Sequence, residues 1–155
     1  IMLCYAALER FMSNYNEDFY AWTVEQVHLC RSGQLDAIDL EHIIEEIESM
    51  GKREKRELSS RMTVLLMHLL KWQHQEIYQG KSWRLTIYEQ RSELKKLIKD
   101  NSSLKPWLDE TVVEAYESAK IKAEIETGIS HKHYAQQCEW TVMQILDVEF
   151  FPQAY

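Results

Sequence analysis

Glycine and proline are scarce in this chain. Four glycines and two prolines occur among 155 residues, which is about a third of the average usage of these two residues. All-β sandwiches and barrels need glycine and proline at their many turns. The low count therefore argues against a β-rich fold and favours a protein made of helices.

Cysteine and long apolar runs are also scarce. The three cysteines, Cys4, Cys30 and Cys138, form no C-x-x-C pair, which argues against a zinc ribbon or a thioredoxin-like motif. No run reaches the roughly 18 apolar residues of a membrane span, and the apolar start lacks the basic region of a signal peptide. The sequence predicts a cytoplasmic protein with reduced thiols and no membrane contact.

Charge is distributed unevenly along the chain, whose net charge is −7. Residues 1–50 carry a net charge of −8, residues 51–101 carry +6, and residues 102–155 carry −5. Because an acidic, a basic and an acidic segment follow one another, we expect ion pairs between these segments within the protein. Nucleic acid is not expected as a partner, because the net negative field repels phosphate. The basic run at residues 52–56 is interpreted as a solvated or internally paired helix face.

Apolar residues at helical spacing predict a helix from Asp39 to Met50, with Asp39 as its N-cap. Gly51 either ends this helix or lies inside a longer one, at a cost of about 1 kcal/mol. The next apolar run has almost no polar side, which predicts a helix over about residues 58–78 that is buried all round. The sequence thus predicts an all-α, single-domain bundle of five or six helices around that central helix. The other predicted helices span residues 17–32, 82–99, 103–127 and a short segment after a capping box of Thr141 and Gln144.

Several short blocks of the chain are specific as a set, although each alone is weak. They lie at residues 14–22, 45–51, 65–66, 68–73, 82–83, 90–91, 126–128, 138, 141 and 144–146. The set resembles a bacterial family, best represented in cyanobacteria, that is catalogued as domain of unknown function 29. The resemblance implies an all-helical domain over residues 14–155 with no assigned activity. It also implies that residues 1–13 are a leader outside the domain, with Met12 as the native start.

Motifs for catalysis, metal binding or cofactor binding are absent from the sequence. It contains no phosphate-binding loop, nucleophile elbow or dinucleotide fingerprint. Glu25 with His28, and Asp39 with His42, have the carboxylate-x-x-histidine spacing of a di-iron site. Chance spacing is preferred, because Asp39 is placed to cap a helix. We therefore predict no metal, no cofactor and no catalytic residue.

A polar cluster is predicted where the helix at 39–50 packs on the apolar helix that follows it. Glu45 and Glu48 lie three residues apart on one face, and one of them is expected to pair with a basic residue. A buried salt bridge that fixes helix register is one interpretation. A ligand pocket walled by two tryptophans is the other, and His68 is expected to be buried and hydrogen-bonded. The candidate set is Glu45, Glu48, Arg61, His68, Lys71, Trp72, Trp83 and Arg91, with Arg61, Lys71 and Arg91 as the possible partners.

Five tryptophans and eight tyrosines supply anchors for a core or for a partner-binding surface. We therefore expect a non-enzymatic protein-interaction or regulatory module that binds a protein partner or a second copy of itself. The alternative is a small-molecule-binding protein or an enzyme with a polar pocket around Glu45, Glu48, His68 and Trp72. An exposed apolar patch favours the first function, and a concave pocket with converging charges favours the second.

Overall fold

The computed structural model describes residues 14–154, and within that range the fold is all-α with no strand. The helices are α1 (Phe19–Ser32), α2 (Leu40–His74), α3 (Lys81–Asp100), α4 (Leu108–Thr127) and α5 (Val142–Leu146). Short 3₁₀ segments lie between them, at Leu35–Ala37, Glu76–Tyr78, Ser102–Trp107 and His131–His133.

The all-α class and the five helices confirm the sequence prediction. Between residues 14 and 154, no helix combines the length and the apolar character that a bilayer crossing requires. The leader predicted for residues 1–13, with Cys4 and Met12 in it, lies outside the described residues. The one-domain organisation predicted for residues 14–155 stays a prediction.

Helix α2 is continuous for 35 residues, so Gly51 lies inside it. The helix predicted at 39–50 and most of the helix predicted at 58–78 are therefore parts of one helix, which ends at His74. Outside its own helix backbone, a Cβ atom built on Gly51 would meet no described atom within 4 Å, so no contact among residues 14–154 requires a glycine there. The expectation that the first of these segments packs on the second is wrong, because both belong to the same helix.

Replacing Gly51 by alanine should raise the free energy of unfolding by about 0.5–1 kcal/mol, because alanine loses less backbone entropy in a helix. Urea unfolding followed by circular dichroism measures the change. Gly128→Ala is the control, since Gly128 ends α4 at a φ of 73° that alanine adopts only with strain. That variant should lose stability, and a loss at Gly51 as well would contradict a continuous helix.

The chain divides into two compact units, residues 1–51 and 52–155. The described part of unit 1 is a helical hairpin of α1 and the beginning of α2. The Asp18 side chain caps α1, and Gly33 ends it in the left-handed conformation at a φ of 72°. The backbone N–H of Asp39 donates to the side-chain oxygen of Gln26 at 2.8 Å, which ties the start of α2 to α1.

Unit 2 is built around the second part of α2, together with α3, α4 and α5. Most apolar residues of α2 from Leu58 to Trp72 are buried, which confirms a central helix there. The predicted extent to residue 78 is wrong, because α2 ends at His74 and Ile77 in the following 3₁₀ segment is exposed. Three alanines spaced four residues apart on α4 are also buried, and their small side chains let α4 approach its neighbours closely. They are Ala115, Ala119 and Ala123. The predicted capping box of Thr141 and Gln144 starts α5.

Candidate functional site

An apolar groove lies in unit 1, between α1 and the first part of α2. Its volume of about 530 Å³ falls within the range typical of ligand-binding clefts. We call it the unit 1 groove. Its apolar lining residues are Phe19, Trp22, Val27, Ile43, Ile47 and Met50.

The unit 1 groove belongs to a wider exposed apolar surface. Ile47 is 64% exposed and Met50 is 61% exposed, although both are large apolar side chains. Their neighbours Leu40 and Ile44 on α2 are exposed as well, as is Val24 on α1. Single exposed apolar residues are normal, but contiguous ones of this size mark interaction surfaces.

A hydrogen-bonded aromatic cluster fixes the hairpin beside the groove. The indole Nε1–H of Trp22 donates to Asp39 Oδ2 at 3.1 Å, and the same oxygen lies 2.7 Å from His42 Nδ1. The Tyr15 ring stacks on His42 with centroids 4.1 Å apart, and its hydroxyl donates to Glu46 Oε1 at 2.5 Å. Trp22 is therefore buried and hydrogen-bonded at its polar edge where it lines the groove.

The charges in this cluster have a structural explanation. Burial raises the pKa of Asp39, but hydrogen bonds from His42 and Trp22 outweigh it and hold that pKa below its ordinary value. The hydrogen bond to Glu46, and then burial, raise the pKa of Tyr15. Asp39 and His42, which have carboxylate-x-x-histidine spacing, thus bind each other. No group of three or more His, Cys, Asp or Glu side chains placed to hold a metal ion occurs among the described residues.

Part of the predicted polar cluster does assemble, in unit 2. Lys71 is only 6% exposed, forms an ion pair with Glu126, and places its ammonium 4.5 Å from the centre of the Trp83 ring. His68, one turn before Lys71, is half-buried and donates from Nδ1 to the carbonyl oxygen of Val64 at 3.0 Å. Lys71 and Glu126 thus neutralise each other, and the hydrogen bond of His68 stays within its own helix.

Arg91 and Trp72 hold the C-terminal segment of the chain. The Arg91 side chain is fully buried and donates to three backbone carbonyl oxygens. Trp72 packs on Phe151, with ring centroids 4.7 Å apart. The three carbonyls belong to Ile145 at 2.8 Å, Val148 at 3.3 Å and Phe150 at 2.7 Å.

The predicted pairing of Glu45 or Glu48 with these basic residues is wrong. Both glutamates are exposed, the partner of Lys71 is Glu126, and Arg61 binds two other carboxylates. The prediction assumed two helices packed side by side. In one continuous helix, Glu48 and Arg61 are thirteen residues apart, whereas side chains on one helix pair at three or four residues.

Acid should destabilise the protein partly through His68. Burial lowers the pKa of His68 below its ordinary value, and the hydrogen bond to Val64 opposes this only in part. Below the unfolded pKa of about 6.5, the unfolded chain therefore binds this proton more tightly than the folded chain does. Stability falls as the pH falls through that range.

His68→Gln should therefore lose less stability between pH 7 and pH 5 than the wild type does. Urea midpoints at the two pH values measure the difference. His28→Gln, at an exposed position, is the control and should keep the wild-type difference. Equal acid losses in wild type and His68→Gln would show that His68 does not contribute.

Comparison with known proteins identifies one family. The model of the family described as Domain of unknown function DUF29 matches residues 14–151, which is most of the chain. No curated protein and no solved structure matches. The function must therefore be argued from the geometry described above.

Proposed function

The chain belongs to the DUF29 family, and from the geometry of unit 1 we propose that it is a protein-interaction module. The unit 1 groove binds a basic amphipathic helix of a partner protein. The observation that supports this most is the set of large apolar side chains that remain exposed on the hairpin, around a groove lined by the buried Trp22 ring.

The apolar surface supplies the affinity. Leu40, Ile44, Ile47 and Met50 are all close to half exposed or more, and covering them stabilises a complex by about 25 cal/mol per Å². A helix is the occupant that fits, because two parallel ridges of side chains form a groove that accepts anchors at positions i, i+3 or i+4, and i+7. The fixed Trp22 ring limits the ordering that binding would require.

The charge of the hairpin selects the partner. Residues 14–51 contain nine acidic residues and one basic residue, Arg31. A helix with lysine and arginine on its polar face is attracted to this surface, whereas acidic helices and nucleic acids are repelled. The occupant is therefore apolar on one side and basic on the other.

A designed peptide tests the proposal. We expect a leucine and lysine amphipathic helix of about four turns to bind unit 1, as measured by the fluorescence anisotropy of the labelled peptide. A peptide with glutamate in place of every lysine should bind at least about tenfold more weakly, because its charge matches that of the hairpin.

A third peptide, with the lysine composition kept but the order scrambled, separates charge from shape. It should also bind at least about tenfold more weakly than the amphipathic peptide, since it has no continuous apolar face. Equal binding of the ordered and scrambled peptides would mean that only charge acts, which contradicts docking in the groove.

A second copy of the chain is the competing occupant. Sedimentation at increasing protein concentration distinguishes the two, because a dimer formed through the groove would dissociate when the amphipathic peptide is added.

We also propose a cytoplasmic location. Cys30 and Cys138 are free thiols, the state that a reducing compartment maintains.

A further inference from the structure

A second groove, in unit 2, is lined by arginine side chains. It has a volume of about 520 Å³ and lies along α2 where that helix faces α3. Arg53, Arg56 and Arg61 line it, together with the Ser60 hydroxyl and the Gln90 amide. We call it the arginine groove, and nothing in the proposed function of unit 1 uses it.

Two of the arginines have no ion pair among residues 14–154. Within the described residues, neither Arg53 nor Arg56 has a carboxylate within 4.0 Å. Arg61 is different, because its Nε donates to Glu57 Oε1 at 2.8 Å and its Nη2 lies 3.5 Å from Glu93. These contacts orient the Arg61 guanidinium and neutralise Glu57, the one acidic residue that lines the groove.

These like charges lie close together on α2, although they repel one another. Arg53 and Arg56 are three residues apart on α2. Like charges at this spacing destabilise a helix. A bound anion would remove that repulsion, so the cluster fits a site better than it fits an ordinary solvated face.

The side chains specify the class of anion. Guanidinium groups bind phosphate oxygens in pairs, with two parallel N–H···O bonds, and Ser60 and Gln90 add neutral donors. The groove has the volume of a small-molecule cleft. We infer that the arginine groove binds the phosphate group of a small phosphorylated molecule.

Isothermal titration with inorganic pyrophosphate tests this at low ionic strength, about 50 mM, where surface charge is weakly screened. The wild type should bind one equivalent saturably. The double variant Arg53→Gln and Arg56→Gln should bind at least about tenfold more weakly, since it loses two charge-assisted contacts. Glutamine is a good helix former, and circular dichroism confirms that the variant is folded.

The matched control removes two charges elsewhere in the same unit. Lys95 and Lys96 lie at exposed positions of α3 outside the groove. The double variant Lys95→Gln and Lys96→Gln should bind pyrophosphate with an affinity within about twofold of the wild type. Equal losses in both double variants, or no saturable binding by the wild type, would overturn the site.

A single-stranded oligothymidine tests the competing source of phosphate. If it binds the wild type at least as tightly as pyrophosphate does, with affinity falling steeply with salt, the small-molecule site is overturned in favour of a polyanion surface. Weaker binding than pyrophosphate supports the small ligand.

Discussion

Replacing Arg91 by methionine is expected to lower the free energy of unfolding by about 3–5 kcal/mol. Arg91 is fully buried, and its guanidinium donates to three backbone carbonyl oxygens near the C-terminus. Methionine fills much of the volume but donates no hydrogen bond. Each carbonyl that loses its charge-assisted donor costs about 1–3 kcal/mol, with the largest share at the buried Ile145 oxygen, and together they account for the expected loss.

Urea unfolding measures this change, and Lys96→Met provides the control. Lys96 is exposed on the same helix, so its replacement should change the free energy of unfolding by less than about 0.5 kcal/mol. Limited proteolysis adds a local readout, because the segment after α5 should become susceptible in Arg91→Met. A loss below about 1 kcal/mol would show that the three carbonyls find other partners.

The double variant Ile47→Gln and Met50→Gln should bind the leucine and lysine peptide about 30-fold more weakly, which is the loss of about 2 kcal/mol typical of interface anchors. Both side chains line the unit 1 groove and are more than half exposed. Removing their apolar surface therefore affects an occupant more than it affects the hairpin. The charge of the hairpin is unchanged, so electrostatic attraction cannot explain a difference.

The control for this double variant is a second double variant, Ile121→Gln and Ile125→Gln. These residues are exposed on α4, so the same chemical change is made away from the groove. Peptide affinity should stay within about twofold, and the stability of both double variants should change by less than about 1 kcal/mol. A groove variant that binds the peptide as well as the control does would exclude this surface.

The sequence predicted helix ends where the backbone itself enforces them. Gly33 and Gly128 end α1 and α4 in the left-handed conformation, which glycine adopts without strain. Gly51 also follows an apolar helical run in the sequence, but its φ is not positive, and α2 continues through it. Nothing in the local sequence separates these cases, because the difference depends on what the flanking residues pack against.

The predicted polar cluster shows that sequence spacing gives the helix face of a side chain but not its partner from a distant part of the chain. The spacing placed His68 and Lys71 on one face of a helix, and the structure keeps them there. Glu126, the partner of Lys71, lies 55 residues away along the chain, and its position in a block of family resemblance was the only indication of its importance. Arg91 was predicted to pair with Glu45 or Glu48, whereas its partners are backbone carbonyl oxygens, which carry no sequence signal.

The apolar stripe of the first part of α2 was found in the sequence but assigned to a core. Ile44, Ile47 and Met50 have the spacing of a buried helix face, and periodicity reports only that a face is apolar. Whether this chain or a partner covers it is decided by packing. The exposure of these residues in the hairpin is what directs the interpretation toward a docking surface.

The reaction rate of the Cys30 thiol tests the proposed function most directly. Cys30 is exposed and lines the unit 1 groove, whereas Cys138 is half-buried in unit 2. With the leucine and lysine peptide at about ten times its Kd, alkylation of Cys30 followed by mass spectrometry should slow about tenfold, in proportion to the unoccupied fraction. Cys138 should react at its original rate. An unchanged Cys30 rate while the peptide is bound would contradict docking in the groove.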